Sequence, residues 1–407
     1  MLEELHAISL PFPRVLHYNE NLSLIGELVH RDLKGLSGYE NILLPRPDLY
    51  KLMLSKIPTE RVGWGKRVLK IEEKEEHKDK VVVTCADNSE YIADMVVGAD
   101  GTYSACRQNM YRDLEEQGKL PKEDKKQLEV GFTCMVGLTE PMDSEKYPQL
   151  KDEFAHFKSA VGGDRHGWGC VSMRNNRIAW QLTLQFQSKE EARRQQFMNS
   201  EWGPEANQEM IDEFYNRPSP FGGKMGDIID ATPPELISKV FLEHKMFQTW
   251  YHGRCVLIGD ACHKMLPAAG QGAVNAIQDA VVLANCLYDL KNLSVDSLTD
   301  AFQSYYEQRY ERTKMLYKLS EQFSKVLSGQ TLSDRIFRWI LMNLPQSVQQ
   351  RQYAKSAGYR PQVAFLPKVE NRGTIPLHPQ KPSKRYEQEC EAKKDLSESQ
   401  SRSAEAL

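Results

Sequence analysis

The stretch Pro267–Ala273 reads Pro-Ala-Ala-Gly-Gln-Gly-Ala and runs straight into an apolar segment with helical spacing. Gly270 and Gly272 can take backbone angles closed to other residues, and they let a flat ligand approach the main chain. A helix starting at Ala273 points its unpaired N–H groups, and the positive end of its dipole, at whatever docks in the loop. An anionic ring system would be stabilised there. Two glycines before a helix are also an ordinary turn, so the loop needs company.

Two other short segments supply it. The apolar run "VLIGD" ends in Gly259-Asp260, and "MVVGADG" ends in Asp100-Gly101. In doubly wound sheets ligands lie beyond the carboxyl ends of parallel strands. An Asp at such a place accepts hydrogen bonds from sugar or polyol hydroxyls, and the glycine admits the ligand. Either segment alone is better read as a turn made by Asp and Gly; the pair, together with the glycine loop, favours a site. Cys255, Cys262 and His263 carry metal-ligating atoms but lack a second ligand pair, and no metal is expected. No catalytic side chain stands out. Arg165 and His166 read as a surface turn, and Trp168, Trp180, Trp202 and Trp250 as core residues.

The elements that must position these residues give an α/β (α+β) fold class. Residues 62–100 alternate in short β-branched runs, and "EVGFTCMVGL", "HGWGCVSM", "NRIAWQLTLQF" and "KVFLEHK" add strands between about 125 and 250. "KEEARRQQFMNSEW" interrupts them as a charged helix. Four apolar residues at Cys255–Ile258 mark a strand covered on both faces. The helix after Ala273 shows two apolar stripes and is expected to be buried nearly all round. A longer helix is expected from Leu298 to Ser328, with a capping box at Ser297–Asp300 and a stop at Gly329. The expected organisation is an incomplete Rossmann-like domain at 1–120 and 251–345, with a mostly antiparallel substrate sheet inserted at 121–250. C-terminal helices, an extended segment at 346–380 and a disordered tail at 381–407 follow.

The totals exclude several classes. Within 407 residues, 53 basic and 56 acidic side chains leave a net charge of −3, so nothing points to nucleic acid. The eight cysteines form no CxxC pair, which suits a reducing, cytoplasmic compartment. No apolar run reaches the roughly 20 residues of a membrane span. Ile336–Pro345 is apolar but short; core packing is its expected role, with weak membrane association as the alternative.

With these residues in hand a resemblance is specific. "GDACHKMLPAAGQGAVNAIQDAVVLA" resembles the flavin motif of the FAD-dependent aromatic-hydroxylase-like monooxygenases, which share the p-hydroxybenzoate hydroxylase fold. Gly259, Asp260, Ala261, His263, Pro267, Gly270, Gly272, Asn275 and Asp279 all stand where the family pattern has them. "VVGADGTYSACR" resembles the family's Asp-Gly motif at Asp100, Gly101, Ser104 and Arg107, and "LLPRPDLYKLML" its Arg-x-x-Leu element at Arg46, Leu49 and Leu52. Within the family the chain looks most similar to the fungal zeaxanthin-epoxidase-like branch. The resemblance implies FAD as cofactor, NADH or NADPH as reductant, molecular oxygen, and a small organic substrate that gains one oxygen atom by hydroxylation or epoxidation. It implies that Arg46, Asp100, Gly101 and Asp260 contact FAD. It places Pro267, Gly270, Gly272, Ala273 and Asn275 around the ring.

The same family opens with a Gly-x-Gly-x-x-Gly turn for the pyrophosphate, and this sequence holds none. The expectation is therefore an enzyme lacking its first βαβ unit, with the adenosine half of the site missing. Two other readings stay open: a non-catalytic remnant, and a relative that uses flavin as a reductase or halogenase.

Overall fold

The computed structural model describes residues 1–29, 33–198, 204–329 and 331–405; Trp202 lies outside them. Apart from a two-residue pair, Leu10–Pro11 with Ile42–Leu43, the strands in chain order start with a hairpin, β1 (Arg14–Asn19) and β2 (Leu24–Val29). A meander follows, β3 (Val68–Glu72), β4 (Val81–Cys85) and β5 (Glu90–Ala93), and then β6 (Val96–Gly98). Next come β7 (Glu129–Leu138), β8 (Phe157–Val161), β9 (His166–Met173), β10 (Arg177–Gln185) and β11 (Ser238–Met246). Three short strands close the series, β12 (Tyr251–His252), β13 (Cys255–Leu257) and β14 (His263–Lys264). The helices that concern the site are α1 (Arg46–Leu54), α2 (Ala105–Glu116), α3 (Lys189–Met198), α4 (Pro204–Tyr215) and α5 (Met225–Ile229). Beyond them lie α6 (Gly272–Tyr288), α7 (Val295–Ser328), α8 (Leu332–Met342), α9 (Gln346–Ala357) and α10 (Lys384–Glu405).

The large sheet has eight strands in the order β14-β11-β7-β10-β9-β8-β1-β2, antiparallel except where β8 runs parallel to β1. Period-two alternation sends Trp168, Trp180, Leu182 and Met135 to one face, where Phe214 of α4 and Met225 and Ile228 of α5 cover them. This sheet is not confined to residues 121–250. It recruits β1 and β2 from the first thirty residues, because β8 leaves an open edge that Val15–Asn19 satisfies in parallel register. At the other edge it runs into β14 through β11.

The second sheet is smaller and holds the site. Its order is β12-β13-β6, with β13 and β6 parallel. Every residue of β13 is buried, between Cys106, Met110 and Leu114 of α2 and an apolar layer from α6 and α7 that includes Val282, Leu283, Leu298 and Phe302. The four-residue apolar run is thus a strand covered on both faces. Among the described residues β6 has no second neighbour, and Val97 and Ala99 are exposed.

Three local expectations are corrected. α6 is not buried all round: α7 covers one side, but Val274 and Ile277 are 45% and 50% exposed because no described residue packs over them. α7 begins at Val295, and its cap is Ser294, whose hydroxyl accepts from the Ser297 N–H at 3.3 Å. The earlier serine completes the first turn, and Gly329 (φ +56°) ends the helix as expected. Of the region expected to be extended and then disordered, residues 346–357 (α9) and 384–405 (α10) are helical, while 358–383 carry no helix. Ser383 caps α10 by accepting from Tyr386 N–H, its hydroxyl bonds Asp289, and Glu389 accepts from the Tyr288 hydroxyl at 2.5 Å. Those anchors give a polar segment the partners that its composition alone does not reveal.

No helix among the described residues is long and apolar enough to cross a membrane. All eight cysteines are free. The Arg165–His166 pair sits in the β8–β9 turn, where Arg165 takes φ +72° and His166 bonds the Asp164 carbonyl.

Candidate functional site

β13 and β6 lie side by side with Leu257 opposite Gly98. Gly259-Asp260 and Asp100-Gly101 therefore emerge next to one another at the carboxyl end of a parallel pair, the place where such sheets bind ligands. Both glycines turn through positive φ, +61° at Gly259 and +77° at Gly101. The buried Arg107 fastens the two turns together: Nη1 donates to the Ala261 carbonyl at 2.7 Å, and Nη2 to the Thr102 carbonyl at 2.6 Å. Asp100 is exposed and accepts from the Cys106 N–H at 3.0 Å.

The glycine loop is brought to the same place by a buried charge network. Asp279, on the second turn of α6, accepts from the Gly259 N–H at 3.0 Å and meets His263 Nε2 at 2.5 Å. Its other oxygen takes Arg309 Nε of α7 at 2.7 Å. Arg309 Nη2 reaches the Asn275 side-chain oxygen at 2.8 Å, and Asn275 Nδ2 donates to the Gln271 carbonyl at 2.8 Å. Ser320 holds the loop from below by donating to the Leu266 carbonyl. Burial by itself would raise the Asp279 carboxyl, but His263 and Arg309 outweigh it and hold the group below the usual carboxylate range. The two turns also touch directly, since a Cβ on Gly259 would lie 3.1 Å from the Ala276 Cβ.

The loop faces open space. Gly270 adopts φ +62°, and among the described residues a Cβ on either Gly270 or Gly272 would meet nothing within 4 Å. Pro267 and Ala273 are exposed, and no side chain caps the first turn of α6. Asp260 is half-exposed beside the loop, with one carboxylate oxygen 2.6 Å from Lys264 Nζ.

Two predicted residues stand apart from this opening. Arg46 is exposed at the first turn of α1, which Asp48 ties to Arg177 of β10 at 3.0 Å; no contact joins Arg46 to the loops among the described residues. Asn275 is fully buried with both amide atoms engaged inside the protein, so its part is to shape the loop from behind. Arg309 is the participant that the sequence did not announce, because it lies 30 positions beyond its partner on a different helix. A second unannounced link is Tyr103, whose hydroxyl donates to the buried Glu243 of β11 at 2.5 Å and ties the Asp-Gly turn to the large sheet.

Cys262, His263 and Asp279 do converge, with ligand-type atoms within 4.8 Å of one another. Arg309 and the Gly259 N–H already occupy the carboxylate, and the guanidinium charge opposes a cation there.

A family model described as an FAD binding domain matches residues 17–318. The chain belongs to the FAD-binding-domain family. FAD is the cofactor of this oxidoreductase family, and curated relatives carry the name FAD-dependent monooxygenase. One of them, atmM of Aspergillus flavus, is 25% identical over 349 residues, covering 83% of this chain and 68% of the relative. Another, ptmM of Penicillium ochrochloron, is 30% identical over 294 residues, covering 70% of this chain and 65% of the relative. The chain thus spans about two thirds of the length of each. Among solved structures, Klebsiella pneumoniae HpxO complexed with FAD and uric acid superposes with a TM-score of 0.65 at 19% identity, covering 86% of this chain and 80% of that one. The fold is the mixed α/β fold of the FAD-dependent hydroxylases.

The opening fits the ring and ribityl end of FAD. It offers uncapped helix N–H groups for an electron-rich ring edge, two glycines with open space above them, and an Asp within reach of hydroxyls. The sequence contains no Gly-x-Gly-x-x-Gly turn, and no residue is assigned to the adenosine end.

Proposed function

We propose that this chain seats the ring and ribityl chain of FAD between the Gly259-Asp260 turn and the Gly270–Ala273 loop, and works as an NAD(P)H-using monooxygenase. The observation that carries this reading is the meeting of three separate motifs, at residues 100–101, 259–260 and 270–273, around one opening beside a parallel strand pair.

FAD, when bound, passes electrons from a reduced nicotinamide to molecular oxygen, so that one oxygen atom enters the substrate and the other leaves as water. The protein's own part is positional and electrostatic. The first N–H groups of α6 would face the electron-rich edge of the ring and are held in place by the fold. Asp260 would accept from the ribityl hydroxyls. Asp279 and Arg309 hold both loops from behind without touching the ligand. Arg46 and Asp100 complete the set inferred to face the nucleotide. The substrate is a small organic molecule, hydroxylated or epoxidised, beside the large sheet. The eight free cysteines support a reducing, cytoplasmic setting.

The test is oxygen-dependent consumption of NADH or NADPH by the FAD-loaded chain, read with labelled molecular oxygen. One labelled atom in the product and one in water supports the proposal. Nicotinamide oxidation with no oxygen in any product points instead to a reductase, and halide-dependent product to a halogenase.

A further inference from the structure

We propose that α8 is a lipid-facing helix that docks this protein on an anionic membrane surface. The helix is amphipathic, and it turns Arg338 and Met342 inward while most of its large apolar side chains face out. Arg338 is 8% exposed, and its guanidinium donates to the Leu327 carbonyl at 3.0 Å. Arg335 Nε donates to the Gly329 carbonyl at 3.0 Å, and Met342 packs onto Gly26 of β2. The glycine at 329 is needed for this arrangement: a Cβ there would lie 2.3 Å from Arg338 Nη1, and φ is +56°. What remains outward is Leu332, Ile336, Phe337, Trp339 and Ile340, each between 43% and 75% exposed.

A surface helix of a water-soluble domain turns its apolar stripe to the core. Here the interior takes the arginine and leaves the stripe outside, so the outer phase that suits α8 is apolar. The helix is built to stand on its own at that place, since Thr331 and Asp334 close a reciprocal capping box. An apolar stripe of Leu, Ile, Phe and Trp on an amphipathic helix is the composition that settles at the headgroup–acyl boundary.

Charge selects the kind of surface. From Gln322 to Gln362 the basic residues are Lys325, Arg335, Arg338, Arg351, Lys355 and Arg360, against the single acid Asp334, in a chain whose overall charge is −3. Lys325, Arg335 and Arg351 are exposed. Basic side chains flanking an outward apolar face match a bilayer carrying anionic headgroups. A protein partner would have to supply both an apolar groove and acidic groups. The inference is independent of the flavin reading, because no residue of the opening takes part in it.

The experiment is sedimentation of the 407-residue chain with vesicles of phosphatidylcholine alone, and of phosphatidylcholine mixed with phosphatidylserine. The wild type is expected to follow the mixed vesicles and to remain largely in solution with the neutral ones. The double variant Phe337→Asp/Trp339→Asp should lower partitioning about a hundredfold, from the loss of two aromatic side chains that would enter the bilayer. Arg335→Glu should lower it at least about fivefold, and more so at low salt. Phe337 and Trp339 are exposed, so circular dichroism and the unfolding midpoint of the double variant should match the wild type. Wild-type protein that ignores mixed vesicles while folded overturns the proposal, as does unchanged binding by the folded double variant. Self-association of the wild type that the double variant abolishes, with no uptake by vesicles, overturns it in favour of a protein interface.

Discussion

The Asp279 carboxylate and the Arg309 guanidinium meet at 2.7 Å with neither side chain exposed to solvent. This pair, reaching from one helix to the next, fixes the glycine loop through Asn275 and the Gly259 turn through its backbone N–H. Removing one partner leaves the other charged and buried. Arg309→Met should therefore cost about 3–5 kcal/mol of stability, read by urea unfolding. Asp279→Asn/Arg309→Met should cost clearly less than the sum of the single changes, because the second removes the orphan left by the first. Additive losses would mean that the two residues act separately.

Acid should attack the same network. The Asp279 carboxyl is held below its ordinary 3.8, so the unfolded chain binds its proton first as pH falls. The stability it contributes is complete well above pH 3.8 and is lost as acidification passes through the lower folded value. Unfolding curves taken downward from pH 5 should steepen in wild type and flatten in Asp279→Asn. A variant with the wild-type acid limb would remove Asp279 from this role.

A second pH window belongs to His17 of β1. Its Nδ1 meets the Ser159 hydroxyl at 2.7 Å, and burial, with Arg338 as a smaller cause, pushes it from 6.5 down to about 4. The folded chain keeps this imidazole neutral while the unfolded chain takes a proton, so stability is full above pH 6.5 and falls on the way to pH 4. The loss should reach roughly 3 kcal/mol across the window. His17→Gln should remove most of that slope between pH 7 and 5; an unchanged slope would place the titrating group elsewhere.

Gly272 separates folding from binding. Nothing lies within 4 Å of a Cβ there, and its φ is not positive, so Gly272→Leu should fold at least as well as wild type. A leucine at that point would stand in the space assigned to the ring. The expected outcome is an unfolding midpoint equal to or above the wild type's, with flavin fluorescence no longer quenched on mixing. Normal quenching by the folded variant would move the ring away from this loop.

The residues proposed to face the ligand could be picked out from the sequence because they are local. Asp100, Gly101, Gly259, Asp260 and the Gly270–Ala273 loop form short runs whose glycines and helix start carry their chemistry in the spacing. The supporting residues could not be picked out. Arg309, the Ser320 strut under Leu266 and the Tyr103–Glu243 link join residues 30 to 140 positions apart, and only packing brings them together. In the fold, β13 announced itself by four apolar residues, whereas the β1–β8 pairing could not be read, since alternation does not name a strand's neighbour. Ile336–Pro345 misled for a related reason. The run is apolar but short, and core packing is its expected role, yet the side chain the structure turns inward is that of Arg338.

Hydrogen exchange by mass spectrometry, on the 407-residue chain with and without saturating FAD, tests the flavin assignment most directly. The account predicts slower exchange in peptides spanning Ala99–Ser104, Gly259–Lys264 and Ala268–Asn275, with little change over the outer strands of the large sheet. Protection confined to other segments, or none at FAD concentrations that saturate binding, would contradict it.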